Sequence, residues 1–141
     1  MSLSNDIAVA ETGNDPRIRP DRAKANTTIY MGGLCCRDTT TGFVEPATDA
    51  TGKQFCGIAE NHITADGGTK NPKIILSQGN DKLLTCHDTL TQATLGLPVY
   101  VYDDGSVALD ASAAHNVAVG YLVPPFVSAT QGYVRIDTNA L

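Results

Sequence analysis

Between residues 27 and 62 short apolar runs alternate with polar turns at a spacing that suits strands better than helices. Ile29, Met31, Leu34 and Cys36 fall on one strand face if Gly32-Gly33 inserts a bulge, because side chains alternate and one extra residue resets the phase. Residues 38–42 read as a turn. Phe43-Val44-Glu45-Pro46 is a brief extended piece that Pro46 confines to a sheet edge, since proline offers the ladder no N–H. Phe55-Cys56-Gly57-Ile58-Ala59 is nearly continuous apolar sequence, the pattern of a strand buried on both faces.

The pattern continues downstream. Residues 65–69 form a loop, Ile74, Ile75 and Leu76 mark a strand over 72–77, and Gln78-Gly79-Asn80-Asp81 predicts a hairpin turn returning through 82–86. Lys82 reads as a solvated turn lysine; a lysine that carries lipoate or biotin needs near-symmetric halves that this chain lacks. Residues 89–95 are the best helical stretch, one or two turns with Leu90 facing Ala93 and Thr94 and Gly96 as the stop. Along 97–102, Leu97, Val99 and Val101 share one face and Pro98, Tyr100 and Tyr102 the other. Asp103-Asp104-Gly105 turns the chain into 106–109. Residues 117–123 predict a core strand in which Gly120 permits a close approach and which Pro124-Pro125 ends. A last strand over 132–137 sets Tyr133 and Arg135 against Val134 and Ile136. The whole predicts a mainly β fold: a compact distorted β-barrel or two packed sheets with one short helix.

Composition agrees. A chain of 141 residues with 13 Gly, 7 Pro and no Trp has room for a single core built from small aliphatic side chains. Such a core gains less per residue than an aromatic one, so self-association is expected to add stability. Residues 1–26 stand apart as an extended N-terminal arm ahead of a single β-rich domain over 27–141. Pro16 and Pro20 pre-extend this arm, and Arg17, Arg19, Arg22 and Lys24 give it a basic cluster. It is too polar to join the core, and its expected role is to add to a neighbour's sheet edge through main-chain hydrogen bonds. The arm's acidic and basic residues balance, so the net charge of −5 falls on the remainder, which disfavours nucleic acid as a partner. No apolar run is long enough to span a membrane, and the first residues lack the basic and apolar regions of a signal peptide, which predicts a cytosolic product with no membrane partner.

Catalytic and metal-binding readings find little support. Cys35, Cys36, Cys56 and Cys86 contain no C-x-x-C pair, and adjacent strand residues point to opposite faces, so the expectation is four reduced, buried thiols rather than a metal site. Zinc at Cys86 and His87 is the remoter alternative. Asp103-Asp104 lacks the regularly spaced oxygen ligands of a calcium loop. His62, His87 and His115 with Ser77 and Ser128 are not set in any hydrolase signature, and Gly67-Gly68 has neither a following helix nor the G-x-x-x-x-G-K-[ST] pattern of a phosphate loop. The sequence therefore predicts no enzyme, cofactor or metal.

A family resemblance gives this scaffold a role. The run Gly33-Leu34-x-x-x-Asp38, then Phe43-Val44-x-Pro46-Ala47-x-Asp49-x-x-Gly52, then Gly57-Ile58-Ala59-Glu60, resembles the small tailed-phage capsid decoration, or cement, proteins. Residues 74–79, Leu83-Leu84, the T-x-A-T-L-G-x-P-V-Y-V-Y-D-D segment from Thr91 to Asp104 and the V-A-V-G-Y-L-V strand from Val117 fit the same pattern. The likeness spans about residues 27–137. It implies a structural virion protein on the outer surface of a bacteriophage capsid, made in the host cytoplasm, bridging neighbouring major capsid protein subunits as a homotrimer. Pro16, Arg17, Arg19, Pro20, Arg22 and Lys24 would then be the capsid-binding arm. The alternative is a non-enzymatic β-barrel module binding carbohydrate or protein at a virion surface, with Tyr100, Tyr102 and Tyr133 lining its groove.

Overall fold

Eleven strands and one 3-10 turn make up the computed structural model, which describes residues 2–13, 17–64 and 71–136. The strands are β1 (Glu11–Thr12), β2 (Ile18–Arg22), β3 (Leu34–Asp38), β4 (Val44–Pro46), β5 (Lys53–Ala59), β6 (Lys73–Ser77), β7 (Asp81–Thr85), β8 (Pro98–Asp103), β9 (Ser106–Ala108), β10 (Ala118–Phe126) and β11 (Gln131–Ile136). They form two antiparallel sheets packed together, in the orders β1-β7-β11-β10-β8-β9 and β2-β6-β5-β3-β4. Of the two predicted architectures it is the packed pair; the barrel does not close. The expected helix is the 3-10 turn Gln92–Thr94, capped by Thr91 and followed by Gly96 at φ +89°.

Strand β5 explains why there are two cores. Cys35 lies opposite Gly57 and Cys36 opposite Phe55, so Cys56 is an extra, bulged residue. The bulge shifts the alternation by one. Phe55 and Ile58 therefore both face the six-stranded sheet, with Leu34 and Cys36, and meet Leu84, Val99, Val101, Val119, Leu122 and Val134 there. Cys35, Cys56 and Ala59 face the other way and join Ala23, Ile29, Val44, Ile63, Ile74 and Leu76 in a second cluster. The five-stranded sheet curls around that cluster. Its two terminal strands come back toward each other: β2 ends one side, β4 the other, and Ala23, next after β2, makes a parallel bridge to Val44.

Several expectations are corrected. Ile29, Met31, Leu34 and Cys36 do not share a face: Gly32 sits in a turn at φ +85°, Ile29 belongs to the second cluster and Met31 is exposed. Strand alternation cannot be counted across such a turn, and only glycine fits, since a Cβ would lie 2.2 Å from the Ile7 carbonyl oxygen. Residues 78–81 are not a hairpin. Strand β6 belongs to the five-stranded sheet and β7 to the six-stranded one, so this turn is a corner between sheets, with Asn80 at φ +62°. Pro124-Pro125 does not end its strand either: β10 continues to Phe126 through an irregularity after Val123, where the missing N–H groups break the ladder to β11. Gly120 is the close approach the sequence signalled, with a Cβ there falling 1.9 Å from the Arg135 carbonyl oxygen.

The N-terminal arm is extended, yet it lies against its own domain. β1 pairs with β7 and β2 with β6. The expectation that residues 1–26 stay out of the core fails at Ala23, which is fully buried because its methyl group fills the narrow interior of the curl.

Candidate interaction surface

Strand β2 is the outermost strand of its sheet, so before Ala23 one of its edges carries no ladder. Its sequence Ile-Arg-Pro-Asp-Arg is mostly exposed, and Ile18 is 54% exposed. Alternation splits the basic cluster. Arg17, Arg19 and Asp21 turn to the mouth of the curled sheet, where they line a concavity of about 350 Å3 together with Arg37, Gln54 and Gln78 over a floor of Phe55, Cys56 and Leu76. Pro20, Asp21 and Arg22 line a second hollow with Lys73. Pro16 lies outside the described residues.

Each of the other arm residues has an identifiable setting. The Arg17 carbonyl accepts the Gln78 N–H at 2.8 Å, and the Arg22 side chain donates to the Asn71 carbonyl at 3.4 Å. Lys24 donates its N–H to Val44 and places its ammonium 3.8 Å from Glu45. Arg37 ion-pairs with Asp21. Sequence reasoning missed Arg37, Gln54 and Gln78, which only the sheet order carries to β2. Their one sequence signal is a charged or amide residue at the end of an otherwise apolar strand.

Lys82 is the larger surprise. Far from a solvated turn residue, it is 1% exposed, with its ammonium held by the Glu11 carboxylate from β1 and by the Ser77 hydroxyl at 2.6 Å. Burial pushes its pKa below the usual lysine range. A serine beside a desolvated lysine is an arrangement some hydrolases use. Here Ser77 is itself buried, which leaves no accessible nucleophile.

The remaining candidates are dispersed. His62 meets Asp6 at 2.6 Å, His115 sits on Asp49, and His87 stacks on Tyr102 with ring centroids 3.9 Å apart. Ser128 caps its own turn by accepting from Thr130 and Gln131. Asp103 accepts from Gly105 and Ser106, and Asp104 from the Leu3 N–H, so both serve turn and arm geometry. All four cysteines are buried and free; burial pushes the Cys36 and Cys56 thiols up to about 12. Among the described residues no three His, Cys, Asp or Glu side chains are grouped to hold a metal ion. Tyr100 and Tyr133 are half-buried on the outer face of the six-stranded sheet beside the exposed Tyr121, which the sequence reading had not grouped with them.

No protein-family model matches the chain, and no curated protein matches it.

Proposed function

We propose that the protein decorates and stabilises the outer surface of a bacteriophage capsid by bridging neighbouring major capsid protein subunits. The observation that carries this reading is the exposed basic edge strand β2, seated beside a second charged hollow at the end of its sheet. An edge strand offers unpaired main-chain groups to a partner's strand, and each hydrogen bond so formed adds about 0.5–1.5 kcal/mol. Three of them account for more than tenfold in affinity, and a homotrimer multiplies that by avidity. The mechanism is mechanical: packed DNA presses outward, and a subunit that spans two capsomers adds contacts that must break before the shell opens. The resemblance across residues 27–137 supports the same assignment.

The test mixes purified protein with undecorated, expanded capsids and measures the fraction that co-sediments. Deleting residues 1–26 is the wrong variant, because it also removes Ala23 and two strands. Ile18→Asp with Arg22→Glu alters only exposed side chains and should lower binding more than tenfold while leaving the unfolding midpoint unchanged. Undiminished binding would move the contact away from β2.

The outer face of the six-stranded sheet favours a second reading, a binding module for carbohydrate or protein, because Tyr100, Tyr121 and Tyr133 project from the same side of adjacent strands. Saturable binding to a glycan array that Tyr121→Ala abolishes would favour it.

A further inference from the structure

We infer that the mouth of the curled five-stranded sheet is a carboxylate-binding site, and that its ligand is a glutamate or aspartate side chain presented by an extended protein segment. The partner part of this inference rests on the proposed capsid contact at β2; the carboxylate chemistry does not.

The charge distribution comes first. Among the described residues Arg17, Arg19 and Arg37 line one concavity with one acidic residue, Asp21, in a chain whose net charge is −5. A positively charged side chain without a partner at the mouth attracts an anion. Asp21 is committed to Arg37. The Arg19 side chain is exposed and makes no hydrogen bond or ion pair among the described residues, so its planar fork is available for a bidentate contact.

Shape and floor narrow the ligand. The mouth holds about 350 Å3 and its lining is mostly polar, which suits a short side chain with a charged tip. Gln78 donates its amide N–H to the Cys56 carbonyl at 2.8 Å, which fixes one wall. A carboxylate fits better than a phosphate. It is planar and singly charged, whereas a doubly charged phosphate would sit against Asp21, and an extended polyanion would meet the acidic remainder of the chain. The unpaired edge of β2 runs beside this mouth, so a strand laid along that edge delivers every second side chain toward Arg19.

The experiment titrates the full-length protein by NMR or calorimetry with four probes: acetyl-Val-Thr-Glu-Val-Thr-amide, its Gln counterpart, glutarate and inorganic phosphate. The Glu peptide should bind best, weaken with added salt, and lose about tenfold in affinity on Arg19→Ala, with Arg19→Lys recovering only part of it. Equal binding of the Glu and Gln peptides, or indifference to Arg19→Ala, would overturn the carboxylate site. Phosphate binding more tightly than either carboxylate would overturn the choice of anion, and glutarate matching the peptide would overturn the assignment to a protein segment. Capsid co-sedimentation is read separately. A peptide that binds while capsids do not would keep the site and sink the capsid reading, and the reverse pattern would do the opposite.

Discussion

Strand β5 has large side chains on one face and small ones on the other. Phe55 and Ile58 meet a second sheet across a flat interface, whereas Cys56 and Ala59 line the inside of a tight curl with Cys35, Ala23 and Val44. The difference teaches that the small face of β5 leaves space inside the curl for larger side chains that other segments supply. Two sheets packed face to face leave about 10 Å for interdigitating side chains. Inside the curl the small Ala23, Cys35, Cys56 and Ala59 pack with the larger Ile29, Ile63, Ile74 and Leu76.

The comparison breaks first on the flat side. Gly120→Val would drive a side chain into the Arg135 backbone and separate β10 from β11, so the expected outcome is insoluble or unfolded protein, read by expression and circular dichroism. Next, Phe55→Ala should cost about 3–5 kcal/mol in urea unfolding, against about 1 kcal/mol for Cys56→Ala one residue along. Equal losses would mean the two faces are packed alike.

Lysines sharpen the same contrast. Lys53 on the outside bonds Asp38 at 3.1 Å and ion-pairs with Glu45, and those partners raise its pKa. Lys82 is buried, and its pKa is lowered. Glu11→Ala should cost about 2 kcal/mol, less than a fully buried pair because Glu11 is 37% exposed. The pH dependence has a definite sign. A lysine with a lowered folded pKa binds its proton more weakly when folded, so the unfolded chain holds more protons between that value and 10.5, and stability rises with pH across that window. The Glu11→Ala deficit should therefore shrink from pH 7 to pH 10, and a constant deficit would exclude a buried charge as its cause.

The smallest effect lies in acid. Backbone N–H groups of Thr40 and Thr41, with Lys53, hold Asp38 below the ordinary carboxylate range. Burial pushes Asp49 up, but the N–H groups of Ala114 and His115 outweigh it. Stability from such lowered carboxylates is present above about pH 4 and lost as pH falls through the folded values. The urea midpoint should drop between pH 5 and pH 2.5, and Asp49→Asn should flatten that slope.

Local features were legible in the sequence. The alternation of β8 and β11, the Asp-Asp-Gly hairpin, the edge position forced by Pro46 and the double burial of Phe55–Ala59 all follow from neighbours a few residues apart. Sheet membership was not legible. Gln78-Gly79-Asn80-Asp81 has the residues of a hairpin, because a corner between sheets demands the same positive φ. Lys82 looked solvated because nothing near it in sequence reveals that Glu11 arrives seventy-one residues away. For the same reason the arm's arginines were visible as a cluster, while Arg37, which completes the mouth with Arg17 and Arg19, was not.

The pairing of β1 with β7 and of β2 with β6 has a consequence for synthesis. Both N-terminal strands find their ladder partners only in residues 73–85, so the first twenty-two residues leave the ribosome well before anything exists for them to pair with. During that interval Ile18–Arg22 is an unprotected strand. Arg19, Pro20, Asp21 and Arg22 act as gatekeepers in it: three charges and a residue with no N–H keep nascent chains from pairing with one another until β6 emerges to claim the strand.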